Sequence, residues 1–70
     1  MVDMEPVASD RISEYGYDTE TATVYVTFKK DGVHWQYRQV PDYVWDEFRQ
    51  APSKGRFIHD CLDHYDHGPA

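Results

Sequence analysis

The sequence predicts an α+β domain: a small three-stranded antiparallel β-meander followed by two α-helices packed on one face. Three observations predict it. Between Ile12 and Gln39 apolar residues alternate with period two. After Val40-Pro41 the period turns helical, with Val44, Phe48 and Ala51 at i, i+4 and i+7. Beyond Pro52 a second helical stripe follows, made of Ile58, Leu62 and Tyr65.

Residues 1–9 mix acids, Pro6 and small residues without periodicity, which predicts a flexible N-terminal tail. The domain itself is expected over residues 10–66, with 67–70 as a C-terminal tail. The first strand, Ile12 to Tyr17, is interrupted by Gly16, a sign of a bulge or bend. Asp18-Thr19-Glu20 makes the next turn. Thr21 to Phe28 is the strongest strand, rich in β-branched and aromatic residues. Its Val24, Val26 and Phe28 share one face, and Thr23, Tyr25 and Thr27 share the other. Lys29-Lys30-Asp31-Gly32 is a turn in which Gly32 supplies a positive φ. In the strand Val33 to Gln39, the residues Val33, Trp35 and Tyr37 belong to the core face, with His34, Gln36 and Arg38 behind them.

Pro41 cannot donate to a ladder and suits a helix start, so one helix is expected from Pro41 to Ala51, where Pro52 stops it. Ser53 is a natural N-cap for a second helix over Lys54 to Tyr65.

Composition narrows the function classes. Seventy residues make one domain, and 40 % hydrophobic with 16 % aromatic residues is too apolar for a disordered chain. No apolar run approaches the roughly 20 residues of a membrane span. The start, Met1-Val2-Asp3-Met4-Glu5-Pro6, lacks the pattern of a signal peptide, so a soluble cytoplasmic domain is expected. Cys61 is the one cysteine, which excludes an internal disulfide. The four glycines are scattered, so no phosphate-cradling loop and no cofactor are expected. No residue pairs with an activating base, so the chain does not read as an enzyme. Asp60 and Asp63 beside Cys61 are expected to raise the thiol pKa.

At this point the chain resembles the KTSC family. The residues that carry the likeness are Ile12, Gly16-Tyr17-Asp18, the strand to Phe28, Trp35-Gln36-Tyr37, Val40-Pro41, Val44, Phe48, Ala51, Ser53 and Gly55. That family is a short bacterial and phage domain, also found at the C-terminus of some lysyl-tRNA synthetases. Its marks are a central Tyr-x-Tyr, a Val-Pro and a Ser-x-Gly opening the last helix. Trp35 stands where the family has its first tyrosine. The resemblance implies no catalytic residue, and RNA binding only as a suggestion drawn from the synthetase fusion.

A non-catalytic interaction module is therefore expected. Trp35 and Tyr37 could stack on bases, but their alignment with the apolar positions favours the core. The polar sheet face, with Tyr25, His34, Gln36 and Arg38, is the expected contact surface for a protein partner. Self-association through this face or a free strand edge is a further expectation. The alternative is RNA or other nucleic acid on the hairpin carrying Lys29, Lys30 and Arg38. Segment charges of −5, +2 and −3 over residues 1–20, 21–40 and 41–70 leave that hairpin as the basic stretch of a −6 chain. A third alternative is an acidic phosphate mimic, using Asp3, Glu5, Asp10, Glu14, Asp18 and Glu20 against a basic site. On a continuous second helix His59 and Asp63, and Asp60 and His64, would be i,i+4 pairs. They are weak metal candidates, because the spacing fits no strong ligand motif and a solvated helix face is the simpler expectation.

Overall fold

The computed structural model describes residues 2–70. Five strands form one antiparallel sheet in sequence order: β1 Glu5–Pro6, β2 Ile12–Asp18, β3 Thr23–Phe28, β4 His34–Arg38 and β5 Asp66–Pro69. Two helices, α1 Asp42–Gln50 and α2 Lys54–Asp60, and a single 3₁₀ turn at Leu62–His64 lie between β4 and β5. The α+β class holds, but the meander has five strands rather than three. The two additional strands come from the expected tails. Glu5 pairs with Tyr15, and Tyr37 pairs with His67.

The β2–β3 pairing explains how a weak strand turns three large residues to the core side, two of them buried and Tyr17 half-buried. Ile12 lies opposite Phe28, but Glu14 lies opposite Thr27, so Ser13 is an extra residue. This bulge resets the alternation, and Ile12, Tyr15 and Tyr17 all reach the helix side. The bulge sits at Ser13 and not at Gly16. Gly16 is regularly paired with Tyr25, and its glycine answers a different need described below.

The β3–β4 hairpin follows the sequence pattern. Val24 faces Tyr37 across the strands, and Val26 faces Trp35. Gly32 takes φ +71°, and its N–H donates to the Phe28 carbonyl. Val33 departs from expectation: it belongs to the turn and is 40 % exposed. Asp31 accepts from its N–H and holds the turn open there.

Val40 and Pro41 carry the chain from sheet to helix. Val40 is fully buried, and Pro41 is the N-cap of α1. Both helices pack on one face of the sheet. Val44 and Phe48 enter a core with Ile12, Val24, Val26, Tyr37, Ile58 and Leu62. Tyr15 meets Trp45 and Phe48 edge-on, with ring centroids 5.0 and 5.5 Å away. Tyr37 is 1 % exposed and belongs to the core, not to a stacking platform. Trp35 is half-buried against Phe28 and His67.

The second helix is shorter than its apolar stripe predicts. Ser53 caps it, accepting from the Arg56 N–H, but the helix ends at Asp60 rather than Tyr65. Cys61 leaves helical geometry at φ −126°, and the 3₁₀ turn then drives Leu62 into the core. A continuing helix would carry the chain away from the sheet. Breaking it returns Asp66–Pro69 to the free edge of β4.

Candidate functional site

The outer face of the sheet, away from the helices, is built on one row of paired residues: Gly16, Tyr25, Gln36 and Gly68. The N-terminal segment crosses this row. A Cβ on Gly16 would lie 2.7 Å from Val2 Cγ1, 2.9 Å from Met4 Sδ and 3.0 Å from the Asp3 carbonyl oxygen. Gly16 is thus a glycine because another stretch of backbone lies against it. Val2 and Met4, with Tyr25, His34 and Ala70, line a shallow hollow of about 450 Å³.

Of the residues expected to form a contact surface, Tyr25, His34, Gln36 and Arg38 do share this outer face. Three of them are internally held. His34 Nδ1 lies 3.0 Å from the Thr27 hydroxyl, Gln36 donates to the Pro69 carbonyl, and Arg38 Nε donates to Asp66 at 2.9 Å. That bond keeps the Asp66 carboxyl below its ordinary pKa and raises that of Arg38. The face is also less solvated than its polar residues suggest. Thr23 and Thr27 are only 4 % and 6 % exposed.

The hairpin cations do not converge. Lys29 and Lys30 sit at the β3–β4 turn, while Arg38 lies at the far end of β4, about 13 Å further along a strand rising ~3.3 Å per residue. Lys29 Nζ donates to the Ser9 carbonyl at 3.2 Å. The six acids weighed for phosphate mimicry do not form one patch either. Asp3, Asp18 and Glu20 line a common recess near the β2–β3 turn, whereas Asp10 lines a cleft near the β3–β4 turn. Glu5 faces Arg49 at 3.8 Å.

The metal candidates lose their premise, because the helix stops at Asp60 and the i,i+4 pairs to Asp63 and His64 do not form. Asp60 instead accepts from Arg56, and its Oδ1 lies 3.2 Å from His59 Nδ1. These two bonds, that of His59 foremost, lower its pKa. Among the described residues no three His, Cys, Asp or Glu side chains gather as a metal centre. Burial, more than the charge of Glu47, pushes the Cys61 thiol up; Asp60 and Asp63 are not the cause.

A second depression escaped the sequence pattern. Ala8 to Arg11, Lys29, and Pro52 to Gly55 enclose a polar cleft of about 570 Å³. Its Lys54 Nζ donates to the Arg49 and Ala51 carbonyls at the end of α1, and burial lowers its pKa. Arg11 crosses Gly55, whose Cβ would sit 2.9 Å from Arg11 Cδ. Arg11, Lys29 and Lys54 are distant in sequence. The one local hint was a glycine in the first turn of a capped helix, where helix propensity argues against it.

No helix among the described residues is long and apolar enough to cross a membrane. No protein with a curated description matches the chain. A crystal structure of a KTSC domain protein from Yersinia pestis superposes with a TM-score of 0.92 at 30 % identity, covering 100 % of this chain and 99 % of that one. The family model of the KTSC domain matches residues 8–65. The family marks have structural duties here: Trp35-Gln36-Tyr37 spans both sheet faces, Val40-Pro41 links core to α1, and Ser53-Lys54-Gly55 caps α2 beneath Arg11. On the match over most of its length, this chain belongs to the KTSC domain family.

Proposed function

We propose that this KTSC domain is a non-catalytic module that binds a protein partner on the outer face of its sheet. The observation that carries this is the hollow beside Tyr25. Both helices cover the opposite face, and the outer face is left with an indentation where Val2, Met4 and Ala70 surround Tyr25, with Asp18 and His34 as its polar members. Tyrosine is enriched among residues that dominate protein contacts, because it combines large contact area with a polar end. Gly68 adds no side chain to this row, and a Cβ there would have Arg38 Nη2 as its nearest neighbour, at 3.8 Å. A partner can therefore approach Gln36 and the β5 backbone closely.

The test is affinity capture from lysate with nuclease present, followed by reconstitution of the captured protein with the pure domain. Tyr25→Ala should weaken the reconstituted complex at least tenfold, while Lys30→Glu, at the β3–β4 turn, should leave it unchanged. A complex indifferent to Tyr25→Ala, or no protein captured with nuclease present, overturns the proposal.

A further inference from the structure

The cations of this acidic protein are of two kinds. Arg38, Arg49 and Arg56 each face a carboxylate, of Asp66, Glu5 and Asp60 respectively. Among the described residues, Arg11, Lys29, Lys30 and Lys54 have no carboxylate within 4.0 Å. These four line two adjoining depressions at the end of the molecule that carries the β3–β4 turn. Arg11, Lys29 and Lys54 line the polar cleft. Arg11 and Lys30, with Phe28, line a neighbouring hollow of about 500 Å³. Asp10 borders both depressions, and Asp31 borders the hollow. The local charge is thus +2, while the rest of the chain holds three cations and eleven acids, or −8. Among the described residues, the Lys and Arg side chains without a carboxylate partner lie together in one place.

Two of these cations are also fixed. Lys29 uses one of its three ammonium donors on Ser9, and Lys54 uses two on Arg49 and Ala51. Each keeps at least one donor free at a set position. Holding the side chains beforehand reduces the entropy lost when an anion arrives. The hollow next to the cleft supplies a different surface, the half-buried ring of Phe28.

We propose that this end of the domain is a nucleotide site. A phosphate group is held between Arg11, Lys29 and Lys54, and the attached base lies against Phe28 beside Lys30. A charged cleft alone would serve any anion. The aromatic floor one residue from Lys29 favours a ligand that joins a phosphate to a flat ring, since base–aromatic stacking contributes about 1–3 kcal/mol per base. The nucleotide comes either free or as a unit of a single strand. This site is distinct from the outer sheet face, and its fate does not depend on Tyr25.

The probes are AMP, by calorimetry, and a fluorescent ten-nucleotide oligoadenylate, by anisotropy, both in low salt. A serine phosphopeptide without aromatic residues serves as the anion without a base. Binding of AMP identifies a free nucleotide as sufficient, and binding of the oligomer alone identifies a strand. Either result should weaken about tenfold in Lys30→Glu, and for the oligomer the salt slope should become shallower by about 1. Asp10→Asn should strengthen it, because a like charge leaves the cleft. Phe28→Leu should weaken both nucleotide probes without changing the phosphopeptide. Tyr25→Ala should change none of them. No binding of AMP or oligomer, or phosphopeptide binding as tight as nucleotide binding, overturns the proposal. So does nucleotide binding that ignores Lys30→Glu and Asp10→Asn. Circular dichroism of each variant separates a lost site from a lost fold.

Discussion

Arg11 lies across Gly55, so closely that a Cβ on Gly55 would sit 2.9 Å from Arg11 Cδ and 3.2 Å from Arg11 Cβ. This contact ties the residue before β2 to the first turn of α2. Alanine at a helical glycine ordinarily gains about 1 kcal/mol. Here Gly55→Ala should instead destabilise, because the Arg11 side chain must move and its root on the backbone cannot. In an Arg11→Ala background the Cδ contact is gone, so the same substitution should cost less. A double-mutant cycle by urea denaturation reads the difference, and strict additivity would refute the coupling.

Gly16 predicts a stronger effect. A methyl group there meets Val2 and Met4 and also the Asp3 carbonyl, which is backbone and cannot rotate away. Gly16→Ala should lower stability by about 1–3 kcal/mol, in the range of overpacked sites. It should also speed amide exchange over the first strand. Removing residues 1–4 deletes the obstacle, so in that shortened chain Gly16→Ala should be nearly neutral.

Tyr37 sets an alkaline limit. Burial, and secondarily the charge of Asp63, raise its pKa to about 12. In the unfolded chain the phenol ionises near pH ~10. Between these values the unfolded state has released a proton that the native state keeps, so stability falls as pH rises. The contribution is fully present below pH ~10 and is lost on passing through about 12. Absorbance titration should show tyrosine ionisation accompanying the unfolding, and Tyr37→Phe should remove part of that amplitude. Tyr37→Phe should flatten the loss of stability above pH ~10.

Tyr17 should behave as a clasp. Its hydroxyl donates to the Val40 carbonyl at 2.7 Å, and its ring stacks on Trp45 at 5.5 Å. Tyr17→Phe keeps the stack and removes the donor, so it should cost about 1 kcal/mol in thermal or urea unfolding. Tyr17→Ala should cost distinctly more, and equal losses would mean that the ring contributes nothing.

The local signals that proved sound were those with a local cause. Pro41 and Pro52 bracket α1, Gly32 takes the positive φ of its turn, and Ser53 caps α2. The alternation of β3 and β4 placed Val24, Val26 and Tyr37 in the core. The apolar stripe through Leu62 and Tyr65 misled, because Leu62 reaches the core from a 3₁₀ turn as well as it would from a helix. Of the outer-face residues, Tyr25, His34, Gln36 and Arg38 were legible from strand parity alone. The partners that hold Gln36 and Arg38, Pro69 and Asp66, were not, since they arrive on a strand without any period of its own.

The sequence by itself determined the class of the domain, the order of its main strands and helices, and its family likeness. Periodicity, turn chemistry and capping act over a few residues and need no distant partner. Tertiary structure alone decided the edges β1 and β5. A two-residue strand and a Gly-Pro strand form because neighbouring backbone offers unpaired donors and acceptors, not because of their own side chains. It also decided why Gly16 and Gly55 are glycines, and it brought Arg11, Lys29 and Lys54 to one cleft in a chain of net charge −6. Net charge is a sum over residues, whereas a binding surface depends on which charges the fold leaves unpaired and side by side.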